Sequence, residues 1–127
     1  MDTSGCVTTR LRAVVVPVSD VDRTRHFYRA LGFRLDLDQA ERDVRVVQLT
    51  PPGSLCSIII GTGISSADPG SAVGLLRVTD LETALAHLRA RGAAPSPISH
   101  CAAGFACATF SDPDGNKWLL VDDVLAR

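Results

Sequence analysis

The sequence predicts an α+β domain built from two tandem βαβββ repeats, and three observations predict it. Asp112-Pro113-Asp114-Gly115-Asn116 has the composition of a tight turn, and it runs into a strand rich in Trp, Leu and Val. Sixty residues earlier, Pro51-Pro52-Gly53-Ser54 precedes Ser57-Ile58-Ile59-Ile60, so that Leu119 corresponds to Ile59. The same offset aligns Val18-Ser19-Asp20-Val21-Asp22 with Val78-Thr79-Asp80-Leu81-Glu82, and Arg29-Ala30-Leu31-Gly32 with Arg89-Ala90-Arg91-Gly92. Separated features that share one offset point to an internal duplication.

Each element has a local reason. Residues 11–18 form a near-continuous β-branched run, which predicts a first strand buried on both faces, with Pro17 placing it at a sheet edge. Ser19 or Asp20 caps a helix over 21–31, and Gly32 stops it. Thr24, Tyr28 and Leu31 lie on its inner face with Phe27 nearby, while Arg23, Arg25 and Arg29 point mostly outward. A buried Tyr28 needs a partner for its hydroxyl. Residues 33–37 alternate, with Phe33, Leu35 and Leu37 on one face and Arg34 and Asp36 on the other. Residues 38–43 read as a polar turn. Residues 44–49 and 55–60 read as strands, the former with Val46 and Gln48 on one face and Arg45, Val47 and Leu49 on the other.

The second half repeats the plan. Residues 73–78 form a strand, Thr79 or Asp80 caps a helix over 81–91, and Gly92 ends it. Leu81, Leu85 and Leu88 make the apolar face. Residues 94–98, with two prolines, read as an edge strand, 99–104 as a loop, and 105–110 and 116–121 as the last strands. The expected division is a loose tail over 1–10, one domain over 11–122 and a short tail over 123–127. Within the domain, the repeats cover 11–60 and 73–122, joined by a Gly/Ser/Asp/Pro-rich linker over 61–72.

Composition narrows the function classes. The 127 residues are 46% hydrophobic and 21% charged, with net charge −1 from 13 basic and 14 acidic residues. No basic stripe favours nucleic acid or an anionic membrane, and no apolar run approaches the roughly 20 residues that span a bilayer. With no visible signal peptide in the polar first ten residues, a cytoplasmic location is expected. Cys6, Cys56, Cys101 and Cys107 lack zinc-site spacing and are read as free thiols packed as small apolar side chains.

Val16-Pro17-Val18-Ser19-Asp20-Val21-Asp22-Arg23, Phe27-Tyr28 and Leu31-Gly32-Phe33 resemble the opening of vicinal-oxygen-chelate proteins, the glyoxalase, bleomycin-resistance and extradiol-dioxygenase superfamily. Phe110-Ser111-Asp112-Pro113-Asp114-Gly115-Asn116-Lys117-Trp118 resembles the closing motif of that superfamily, and the likeness covers about residues 11–121. The resemblance implies two curved mixed sheets around a cleft, pairing into a homodimer, and, in metal-dependent members, four ligands projecting into the cleft. The positions that fit those ligands are Ala13, Ile59, Val73 and Leu119, again sixty apart in pairs. None has an oxygen, nitrogen or sulfur donor, so no metal and no cofactor are expected. A shift of one residue at any of the four brings no usual ligand.

Strand parity extends the cleft from these four positions. Val15 accompanies Ala13, Ser57 accompanies Ile59, Leu75 and Arg77 accompany Val73, and Lys117 accompanies Leu119; Gln48 adds a polar group. His100 sits in a loop at the expected entrance. His26 and His87 are read as structural, Asp20 and Asp80 as caps, and Asp112 and Asp114 as turn formers. No catalytic set emerges. By resemblance, the expected function is metal-independent binding of a small, largely apolar or aromatic molecule, with sequestration of a toxic compound as its expected use. The alternative is a lyase, isomerase or dioxygenase of the same superfamily, with His100, Cys101 or Lys117 supplying chemistry. A third reading is a dimeric interaction domain without ligand.

Overall fold

The computed structural model describes residues 7–101 and 105–122. The expected C-terminal tail, Cys6 and most of the N-terminal tail lie outside them. Two four-stranded mixed sheets each carry one helix. The first repeat contains β1 (Ala13–Val15), α1 (Val21–Ala30), β2 (Arg34–Glu41), β3 (Val44–Thr50) and β4 (Ser57–Thr62). The second contains β5 (Val73–Arg77), α2 (Leu81–Ala90), β6 (Ser99–His100), β7 (Ala106–Ser111) and β8 (Lys117–Val121). The sheet orders are β1-β4-β3-β2 and β5-β8-β7-β6, with β1·β4 and β5·β8 parallel and the other pairs antiparallel. The two sheets are thus the same sheet twice.

The caps fall where the repeat places them. Asp20 accepts from the amide of Arg23 at 3.0 Å, and Asp80 from that of Thr83 at 3.1 Å. Both helices run into a glycine of positive φ, Gly32 at 100° and Gly92 at 95°, which a side chain would strain. The helix-covered faces of both sheets share one core, including Val47, Leu49, Ile58 and Ile60 from the first and Ala108, Phe110, Trp118 and Leu120 from the second. Gly74 lets Trp118 lie flat against β5, since a Cβ there would come within 2.3 Å of the indole ring.

A buried hydrogen-bond cluster ties the halves. The Tyr28 hydroxyl donates to Asp112 Oδ2 at 2.9 Å and accepts from Trp118 Nε1 at 2.9 Å. Asp112 also accepts from the amides of Asp114 and Asn116 and from Asn116 Nδ2. Asn116 then donates to the Pro17 carbonyl and accepts from the Ala72 amide. Asp112 and Asp114 therefore do more than form a turn. Asp114 accepts from the Ser19 amide and hydroxyl across the same boundary. Burial is the main cause that raises the Tyr28 phenol far above its ordinary pKa.

Several elements differ from expectation. The apolar first strand is open rather than covered on both sides: Val14 and Val15 are each 43% exposed and Leu11 is 70% exposed, because β1 is an outer strand. Residues 38–41 extend β2 instead of turning, and Arg42 takes the positive φ of a tight hairpin. A bulge between Leu35 and Leu37 breaks the alternation of β2. Leu35 pairs with Leu49 on the core side and Leu37 with Gln48 on the open side, so the two leucines do not share a face. The edge strand of the second sheet is Ser99–His100, not 94–98.

That shift also overturns the reading of Cys101 and Cys107 as free thiols. The β6–β7 hairpin brings their Cα atoms to 5.9 Å, and they form a disulfide, while Cys56 is free. Reading 99–104 as a loop had left these cysteines without a shared hairpin.

Replacing Tyr28 with Phe leaves Asp112 and Trp118 each one buried partner short. The expected cost is about 1–3 kcal/mol, checked by urea unfolding of Tyr28→Phe against wild type; an unchanged midpoint would contradict the role given to the hydroxyl.

Candidate functional site

The outer strands β1 and β5 belong to different sheets and flank a cavity of about 410 Å³. Its lining is mainly aliphatic and includes Val14, Val15, Val16 and Ile58 from the first repeat and Val73, Leu75, Leu76 and Trp118 from the second. Ser57, Asn116 and Lys117 supply polar atoms, and Cys56 a thiol. Such a mixture, apolar with a few polar groups, suits a small organic molecule.

Of the eleven residues named from the sequence, Val15, Ser57, Val73, Leu75 and Lys117 line this cavity. Ala13 pairs with Ser57, Ile59 with both Val15 and Gln48, and Leu119 with Leu75, so Ala13, Gln48, Ile59 and Leu119 share the open sheet faces without lining the cavity. Gln48 reaches it through Ser57. Arg77 instead lines a second cavity, beside α2, together with Val78, Thr83 and His87. His100 is exposed in β6 opposite Ala106, away from the lining residues. His87 bonds the Leu31 carbonyl at 3.0 Å and joins the two helices.

Parity assigned Val14, Ile58, Leu76 and Trp118 to the opposite faces, yet they line the cavity. The cavity lies in a gap between two sheet edges, where side chains from both faces reach it. Pro17, just after β1 and already pointing to a sheet edge, was the signal available for this.

A row of polar side chains crosses the open face of the first sheet. Arg34 Nε donates to Asp36 Oδ1 at 2.5 Å, and the Thr50 hydroxyl donates to Asp36 Oδ2. Thr50 and Ser57 hydroxyls lie 2.7 Å apart, Gln48 Nε2 donates to Ser57 Oγ at 3.1 Å, and Arg12 donates to Gln48 Oε1 at 3.4 Å. Asp36 lies on this face beside Arg34, as the alternation of residues 33–37 places it, and the bulge brings Leu37 to the same side. The Arg34 hydrogen bond, followed by that of Thr50, lowers the pKa of Asp36 below the usual carboxylate value.

The side chains at the four ligand-equivalent positions do not fit a metal ion. Alkyl groups at Ala13, Ile59, Val73 and Leu119 have no donor atom. Among the described residues, no three His, Cys, Asp or Glu gather as a metal site.

A family profile for the glyoxalase/bleomycin resistance protein/dioxygenase superfamily matches residues 10–120. The chain belongs to that superfamily. Among solved structures, this superfamily member resembles TnmS3, an antibiotic binding protein from Streptomyces sp. CB03234. The identity is 33%, with 91% of this chain and 96% of that one covered and a TM-score of 0.79. It is also similar to a glyoxalase/bleomycin resistance protein from the same Streptomyces strain, at 34% identity over 88% of this chain and 99% of that one, with a TM-score of 0.75. A superfamily member from Sphaerobacter thermophilus DSM 20745 is 26% identical over 91% of this chain and 98% of that one, with a TM-score of 0.76. The search of curated proteins returned no match. No helix among the described residues is long and apolar enough to cross a membrane.

Because Asp36 has a depressed pKa in the fold, its contribution is present above the unfolded value and is lost as pH falls through the folded one. Asp36→Asn is therefore expected to lower Tm at pH 7. The gap to wild type should close as the pH is taken down through the acid range, as read by differential scanning fluorimetry. A gap that stays constant with pH would contradict this.

Proposed function

We propose that this superfamily member is a metal-independent binding protein that holds a small, largely apolar or aromatic molecule between β1 and β5. The observation that carries the proposal is the combination of an aliphatic cavity of about 410 Å³ with alkyl side chains at all four ligand-equivalent positions. Apolar burial drives binding, at roughly 25 cal/mol per Å² removed from water, and Lys117 and Ser57, the latter held by Gln48, orient the ligand. The likeness to a protein described as antibiotic binding supports sequestration of a toxic compound as the biological use. With aliphatic groups in the ligand positions, Lewis-acid activation has no seat there, which favours binding over the lyase, isomerase or dioxygenase alternative.

We further propose that the chain works as a homodimer. Leu11, Val73 at 76% exposure and Leu75 at 52% lie along the cavity rim, an apolar surface suited to a second copy. The expected result in light scattering after size exclusion is twice the chain mass of 13.5 kDa; a single-chain mass at micromolar concentration would remove this part of the proposal.

Elemental analysis of protein purified without chelators is expected to find metal far below one ion per chain. Zn²⁺, Mn²⁺, Ni²⁺ and Fe²⁺ are expected to leave Tm unchanged, whereas aromatic compounds from an antibiotic-like panel raise it. Stoichiometric metal, or a Tm rise of several degrees with one ion, would overturn the metal-independent reading.

A further inference from the structure

We propose that the cavity beside α2 is a second small-molecule site, separate from the one between β1 and β5, and that it takes an aromatic molecule carrying a hydroxyl that donates. This goes beyond the binding reading above and does not depend on it.

The duplication supplies the comparison. The chain has two seams where the helix of one repeat meets a turn of the other, and the sixty-residue offset relates them. In the first seam α1 is fully packed. Tyr28 and Thr24 are each 0% exposed, Tyr28 reaches Asp112, and the rings of Phe27 and Phe110 lie 6.4 Å apart. In the second seam each of these helix residues has a smaller counterpart. Leu88 stands for Tyr28, Ala84 for Thr24 and His87 for Phe27, while Pro52 stands for Asp112. All four counterparts line a cavity of about 410 Å³, whose floor is the buried core at Leu31, Phe33 and Phe110. That volume is within the range of small-molecule sites. The space left where a phenol ring stands in the sister seam, with an apolar floor, suits an aromatic ring.

The polar groups of the lining decide what the ring carries. The Leu31 carbonyl only accepts, so His87 Nε2 holds the hydrogen of their 3.0 Å bond, and in the neutral ring Nδ1 is a lone pair. Among the described residues no donor meets that nitrogen. Thr83, one turn earlier on α2, has given its hydroxyl hydrogen to Asp80. Asp80 is a carboxylate, held below its ordinary pKa mainly by its bonds from Thr83, and it too only accepts. Arg77 is already engaged, and Arg77 and Thr79 are exposed, where water competes for their hydrogens. The lining therefore has acceptors to spare. A ligand hydroxyl that donates is matched, whereas a ligand carboxylate meets Asp80. His87 makes the contact, because its ring lies against Leu31, a residue 3% exposed, while the exposed Asp80 carboxylate exchanges a ligand for water with little gain.

The test is a titration of 2-naphthol, 2-methoxynaphthalene and 2-naphthoate into the full-length protein at about pH 8, where an ordinary histidine is neutral. The methyl signals of Ala84 and Leu88 report this cavity, and those of Val73 and Leu75 report the first. At Ala84 and Leu88, 2-naphthol is expected to bind about tenfold more tightly than 2-methoxynaphthalene, which keeps the rings and has no hydrogen to donate. 2-Naphthoate is expected to bind no more tightly than the methoxy compound. Ala84→Leu fills the cavity at a helix position that suits leucine, and it is expected to abolish this response while any response at Val73 and Leu75 is kept. In His87→Phe, which installs the residue of the sister seam, the two neutral probes are expected to bind within about twofold of each other, a ratio that lost stability does not move. If Ala84→Leu does not fold, the ratio in His87→Phe decides alone. Silence at Ala84 and Leu88 with every probe, equal affinities for the two neutral probes in wild type, an unchanged ratio in His87→Phe, or a response that survives Ala84→Leu overturns this proposal. None of these results touches binding between β1 and β5, which Val73 and Leu75 report separately.

Discussion

The contact between Tyr28 and Asp112 is the constraint on which the rest of the structure depends. It joins α1 of the first repeat to the β7–β8 turn of the second, inside a shared core. A repeat of about sixty residues buries too little of its own surface to be comfortably stable alone. Each half here supplies a face that the other covers. A tyrosine, a carboxylate and an indole N–H would be costly to bury singly, but together they satisfy one another. That cluster fixes where the first repeat lies on the second, and hence where β1 lies relative to β5.

The duplication was legible because it rests on local chemistry. Asp20 and Asp80 as caps, Gly32 and Gly92 as helix stops, and the turns before β4 and β8 all act within a few residues of themselves. The need of Tyr28 for a partner was legible too, though not which one, since Asp112 lies 84 residues away. The features that were missed depend on pairing across strands. Leu37 and Asp36 keep perfect alternation in sequence, and only the register against Gln48 and Leu49 exposes the bulge. Cys101 and Cys107 meet because the strand paired with β7 is Ser99–His100 rather than the proline-rich segment 94–98.

For the site, parity found the open faces but not the cavity. It places side chains correctly on a continuous sheet, as with Ile59 beside Gln48 and Leu75 beside Leu119. It fails at Val14, Ile58 and Trp118, which look into the space between two sheets. The faces of the polar row were visible, since Gln48 and Ser57, like Arg34 and Asp36, follow from alternation; that Asp36, Thr50 and Ser57 meet depends on the pairing of β2, β3 and β4.

The gap between β1 and β5 carries one more consequence. Backbone ladders hold strand spacing nearly constant within a sheet, but no ladder crosses this gap. The halves are held instead by contacts on their covered side, where Asn116 holds Pro17, Tyr28 holds Asp112 and His87 holds Leu31. The width of the cavity is therefore set by side-chain contacts across the shared core rather than by a strand spacing.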